Sequence, residues 1–211
     1  MALLDMSDVP AEYHDFADVF SDSLSKNLSK HRPYNVKINL EEGPSLLGPI
    51  YSLLESELKV LHEFIDNNLH SGFITPSCSP YRALVLLVKK KTSELCLCVD
   101  FHSLNKISKK DCYPLSLISD LLNSACSTHI YTKLDLCHTY HLICIAKGDE
   151  WETAFWIHYS FFKWHIMPFR LTNAPTAFQP FVNDIFADML DVSVVVYLND
   201  ILIYSDNPMN H

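Results

Sequence analysis

Val194-Val195-Val196-Tyr197-Leu198-Asn199-Asp200-Ile201-Leu202-Ile203-Tyr204 is the stretch on which the reading of this chain turns. Two apolar, largely β-branched runs flank a short break that carries an amide and an acid. The pattern predicts strand, tight turn, strand, with Asn199 and Asp200 at the tip. Upstream, Ile130–Leu136 reads as another strand, and Asp135 stands near its end. In an antiparallel sheet, strand ends far apart in sequence can lie side by side. Asp135 and Asp200 are therefore expected to be neighbours. Such a carboxylate pair suits Mg²⁺ or Mn²⁺, which take oxygen ligands and substrate phosphates. Metal ions so held can clamp an in-line phosphoryl transfer. Each acid alone carries little, because a strand-end Asp is most often a solvated turn residue.

Composition sets the outer bounds. The 211 residues suffice for one ordinary domain or two small subdomains sharing a core. A hydrophobic content of 48% excludes compositional disorder. The net charge of −9 and pI of 5.6 have the wrong sign for a free-standing nucleic-acid binder. Arginine occurs only at Arg32, Arg82 and Arg170, and lysine clusters at Lys89-Lys90-Lys91 and at Lys106, Lys109 and Lys110. The first residues lack the basic region of a secretory signal, and no apolar run approaches the ~18 residues of a membrane span. Seven cysteines without scaffold spacing predict reduced thiols in an intracellular setting, with cytoplasm and nucleus both open. Cys96 and Cys98 lack a second ligand pair for zinc, and His138 and His141 lack the Glu of a helical zinc motif.

Residues 1–48 hold little periodicity, and a short helix near Pro10–Phe20 followed by an extended arm is predicted. Glu55–Leu69 carries a helical apolar stripe at Leu58, Leu61, Phe64, Ile65 and Leu69, with Gly72 as its stop. Ala83–Val88 and Leu95–Val99 predict a hairpin, and Leu117–Leu122 a helix. Thr153–Trp156 and Phe161–Ile166 predict a further strand pair. Thr172-Asn173-Ala174-Pro175 opens a helix that runs toward Leu190. The irregular alternation, without a βαβ repeat, predicts an α+β fold.

The order of short motifs adds what no single residue supplies. The chain carries Val88-Lys89-Lys90-Lys91, Leu97-Cys98-Val99-Asp100-Phe101 with Leu104-Asn105-Lys106, and Tyr113-Pro114-Leu115. It continues with Thr132-Lys133-Leu134-Asp135-Leu136, Thr153-Ala154-Phe155, Met167-Pro168-Phe169, Leu171-Thr172-Asn173-Ala174-Pro175 and Ala177-Phe178-Gln179 before the hairpin. From about Pro33 to His211, this series resembles the reverse transcriptase of gypsy-type LTR retrotransposons, a part of their pol polyprotein. The resemblance implies a right-hand polymerase fold, with an arm over 1–48, fingers over 49–129 and an incomplete palm over 130–211. The palm end, thumb and RNase H regions of the family are expected to be missing. It makes Asp135, Asn199 and Asp200 the catalytic positions. Asp135 and Asp200, with the Leu136 carbonyl, become ligands of Mg²⁺ or Mn²⁺. Lys90 is placed over the triphosphate, Tyr140 as a steric gate beneath the sugar, and Phe169 beside the nucleotide. The implied partners are an RNA or DNA template-primer and deoxynucleoside triphosphates, with no membrane. Read without the resemblance, Lys90 is a solvated lysine and the two aromatics are core residues.

Several positions depart from the family. Asn199 replaces the first Asp of its Tyr-x-Asp-Asp motif. Even groups that only hydrogen-bond a metal ligand are worth about 10–100-fold in affinity or activity, so a lost charged ligand costs more. Arg170 stands where the family has Gly, a residue that signals a special dihedral or close backbone approach. Cys96 stands where the family usually has Arg. Impaired or absent catalysis is the expectation, with a non-catalytic interaction or RNA-binding module as the alternative.

Overall fold

A computed structural model describes residues 9–17, 19, 27–41, 54–89, 95–126, 128–137, 139–207, 209 and 211. Near the N-terminus, Ala11–Phe16 forms a 3-10 helix in place of the longer helix expected there. The first α-helix, α1, spans Glu55–His70. Its Leu54 N–H donates to the Glu57 carboxylate (2.8 Å), which satisfies one orphan donor of the first turn. Gly72, at φ +71°, takes the left-handed conformation that ends such a helix at little cost. Strands β1 (Ile74–Pro76), β2 (Leu84–Lys89) and β3 (Leu95–Asp100) follow, then helices α2 (His102–Ile107) and α3 (Ile118–Ala125). Strand β4 (Ile130–Asp135), β5 (Phe155–Ile157) and β6 (Ser160–Trp164) precede α4 (Ala174–Ile185), and β7 (Val194–Tyr197) and β8 (Asp200–Ser205) close the series.

The strands form three small antiparallel sheets among the described residues: β1-β6-β5, β2-β3 and β4-β8-β7. A bridge between Ala83 and Phe155 ties the start of β2 to β5, and one between Val36 and Ile145 ties in the N-terminal arm. One core joins them, built on the fully buried Leu61, Ile74, Phe101, Phe155, Ile166, Met167 and Phe178. The hairpin of β7 and β8 is covered on both faces. Val194, Val196 and Ile201 enter the main core, while Val195 and Tyr204 pack with Ala125 of α3. That double burial explains why the valine run is unbroken rather than alternating.

Helix α4 is shorter than the predicted Thr172–Leu190, stopping at Ile185 with turns beyond. Its N-cap Asn173 turns its amide outward: Oδ1 accepts from Asp111 N–H (3.1 Å) and Nδ2 donates to the Lys109 carbonyl (2.8 Å). The helix entry is thereby pinned to the loop ahead of α3. The α2 helix and β1 had no periodic signal, each being too short to show one.

Glu152 is the odd group in this core. It is buried, and its Oε2 has no hydrogen-bond partner. Desolvation, helped by the nearby Asp149 charge, pushes its carboxyl up to about 7. The folded state thus holds the proton more tightly than the unfolded chain. The penalty for the charged form is absent below pH ~4.5, grows as pH rises, and is complete above pH ~7. Glu152→Gln should stabilise the chain by roughly 2 kcal/mol at pH 8 and flatten its stability between pH 5 and 7. Urea melts across that range check this; an unchanged pH slope would contradict it.

Candidate active site

Strand β4 and strand β8 pair in antiparallel register from Ile130 opposite Ser205 to Asp135 opposite Asp200. The two acids are direct cross-strand partners, a relation that puts Cβ atoms about 4.5–5.5 Å apart. The tip itself differs from the expected one. Tyr197 pairs with Asp200, so the two loop residues are Leu198 and Asn199, and Asp200 begins β8. The shift follows from the two-residue hairpin, which needs a positive φ at its first loop position. Leu198 supplies it at φ +54°, at a cost of about 1 kcal/mol for a residue with a side chain.

Asn199 stands against the acid pair. Its Nδ2 donates to Asp135 Oδ1 (3.0 Å), and its carbonyl accepts from Leu136 N–H (2.9 Å). Lys133 lies two residues before Asp135 on the same face of β4. Its Nζ reaches diagonally to Asp200 Oδ1 (2.9 Å), and this bond raises the Lys133 ammonium above its ordinary range. Each carboxylate therefore has an internal donor: an amide on Asp135 and an ammonium on Asp200. The sequence motif contained Lys133, but nothing in it signalled that contact.

Tyr140 sits in a 3-10 turn, Thr139–Leu142, which follows β4. Its half-buried ring meets Phe169 at 5.2 Å and, edge-on, Phe178 at 5.6 Å between centroids. Burial raises its phenol above the usual value. Phe169 is 53% exposed, so it forms a rim rather than a core contact. Leu136 is partly buried and packs on the main core. Lys90 lies outside the described residues, just past the end of β2.

Arg170 adopts φ +72°, the left-handed region where a glycine is at ease. Asn105 grips the backbone around it: Nδ2 donates to the Arg170 carbonyl (2.7 Å), and Oδ1 accepts from Thr172 N–H (2.9 Å). Arg170→Gly should therefore stabilise the fold by up to about 1 kcal/mol, by removing the strain of a side chain at positive φ. A lower melting temperature in that variant would contradict the assignment.

A two-metal centre needs carboxylates with open lone pairs. Among the described residues no group of three or more His, Cys, Asp or Glu converges. The two acids that do meet each accept one internal donor on Oδ1, from Asn199 Nδ2 and from Lys133 Nζ. With an amide at 199, they offer a two-metal centre two carboxylates where the family motif has a third.

A family model described as reverse transcriptase (RNA-dependent DNA polymerase) matches residues 88–211. The chain belongs to the reverse transcriptase family. Relatives of this family member include the Transposon Tf2-3 and Tf2-7 polyproteins of Schizosaccharomyces pombe, each 34% identical over 206 residues. That alignment covers 97% of this chain and 16% of either polyprotein. Among solved structures, the prototype foamy virus protease-reverse transcriptase matches in two forms. The CSH mutant has a TM-score of 0.75 at 21% identity, covering 100% of this chain and 28% of that one. The native form has a TM-score of 0.72 at 21% identity, covering 96% and 28%. The fold is that of solved reverse transcriptases, as the motif order implied.

Proposed function

We propose that this chain is the fingers and palm portion of an RNA-directed DNA polymerase from an LTR retrotransposon polyprotein, with impaired chemistry. In this reading residues 49–129 are fingers and 130–211 palm, and the remaining palm, the thumb and RNase H region belong to sequence outside it. An RNA or DNA template-primer and deoxynucleoside triphosphates are its partners. Asp135, Asn199 and Asp200 are the catalytic positions. Lys90 acts on the triphosphate, and Tyr140, wedged by Phe169 and Phe178, sets the floor beneath the sugar.

The observation that carries this reading is the register that puts Asp135 opposite Asp200 at the end of β4. It supplies two converging acids where phosphoryl transfer needs electrostatic clamping. The amide of Asn199, which donates to Asp135 where the family motif has a carboxylate, supports the impairment. The same contact favours a second reading, a non-catalytic module that keeps the fold and binds RNA. Primer extension on oligo-dT annealed to poly-rA, together with RNA binding by fluorescence anisotropy, separates the two. Extension above a no-protein control supports the enzyme. RNA binding without extension supports the module, and neither activity would count against both.

A further inference from the structure

Among the described residues strand β7 is the outer strand of its sheet, and none of them forms a strand along its far edge near the turn. The Val196 carbonyl and the Leu198 N–H both face that edge, as their shared partner demonstrates. Gln179 of α4, 5% exposed, takes the two groups at once. Its Nε2 donates to the Val196 carbonyl (3.0 Å), and its Oε1 accepts from Leu198 N–H (2.8 Å). The second Nε2 hydrogen goes to Asn183 Oδ1 (2.8 Å), one turn along α4, and Asn183 Nδ2 donates to the Tyr113 hydroxyl (3.1 Å). The amide cannot be the other way round, because a backbone carbonyl only accepts and an N–H only donates.

We propose that Gln179 is a positioning residue of the hairpin, whose side-chain amide replaces a missing neighbour strand and holds Leu198 in its left-handed conformation. Asn199 and Asp200 follow directly from Leu198, so the same two bonds set where they stand opposite Asp135. The consequence for polymerisation rests on the reverse transcriptase reading above; the hairpin geometry does not. No other side chain of this size does the same. Asn is one methylene short, and ionised Glu has no hydrogen for Val196. An apolar residue leaves the Leu198 N–H without its partner.

The test uses the full chain and two readouts by NMR. One is hydrogen-exchange protection of the Leu198 amide. The other is the side-chain amide resonance of Asn199, which reports its bond to Asp135. In Gln179→Ala, Leu198 protection should fall at least tenfold and the Asn199 resonance should shift, while amides of β5 and β6 keep their protection. Gln179→Glu, nearly the same shape, serves if the alanine variant does not fold. Its carboxyl can donate to Val196 only when protonated. Leu198 protection, corrected for intrinsic exchange, should then rise as that carboxyl titrates toward its neutral form. Leu198 protection and an Asn199 resonance unchanged in folded Gln179→Ala would overturn the proposal. So would a Gln179→Glu chain whose hairpin signals ignore pH. Neither readout depends on DNA synthesis, so this proposal and the polymerase reading fail separately.

Discussion

Asn199→Asp should raise the affinity of the hairpin for Mn²⁺ by at least about 10–100-fold. The natural side chain presents an N–H to Asp135. The substitution removes that donor and adds a third carboxylate beside Asp135 and Asp200. Without metal, the extra charge should lower the melting temperature through like-charge repulsion. With metal, the variant should gain stability in proportion to the logarithm of metal concentration over Kd. Mn²⁺ titration by water-proton relaxation, with melts in EDTA and in Mn²⁺, measures both effects. Equal Kd values for the two chains would contradict the weakening of the acid pair by the amide at 199. DNA synthesis should not return with this change alone. Arg170 still stands where the family has Gly, Cys96 still stands where it has a cation, and groups that position a phosphoryl act as a unit.

Phe178→Ala should cost about 3–5 kcal/mol of stability. Phe178 is fully buried and meets Tyr140 at 5.6 Å and Phe181 at 6.0 Å between ring centroids. Its removal leaves a cavity under Tyr140 at the point where α4 faces the hairpin, one residue from Gln179. Tyr140 loses its edge-on partner, so its ring should also become mobile. Urea denaturation gives the stability change, and NMR line shapes of the Tyr140 ring report the second effect. A loss below 1 kcal/mol would place Phe178 outside the core that supports the site.

Local chemistry made much of this legible beforehand. The helix at Glu55–His70, the β2–β3 hairpin and the β4–β8 acid pair all follow from period, turn residues and strand ends. Arg170 was partly legible through the family pattern, since a glycine position signals a special dihedral or a close backbone approach, and the structure shows the first. What was hidden depended on reach across space. Lys133 looks like an ordinary surface lysine until the register sets it diagonal to Asp200. Gln179 looks like a polar interruption of an apolar stripe until β7 is seen to need two hydrogen bonds at its edge. The turn was displaced by one residue because Asn and Asp are the usual turn formers, whereas here the strand pairing of Tyr197 with Asp200 decides.

Template-dependent primer extension tests the central claim most directly: that the amide at 199, with Arg170 and Cys96, impairs the acid pair's chemistry. The natural chain and Asn199→Asp with Arg170→Gly and Cys96→Arg are each fused to an intact palm end and thumb from a relative. The substrate is oligo-dT on poly-rA with dTTP and Mg²⁺. The expected result is clear extension by the triply substituted chain and at most weak extension by the natural one. Clear DNA synthesis by the natural chain would contradict the impairment and mark it as an active reverse transcriptase.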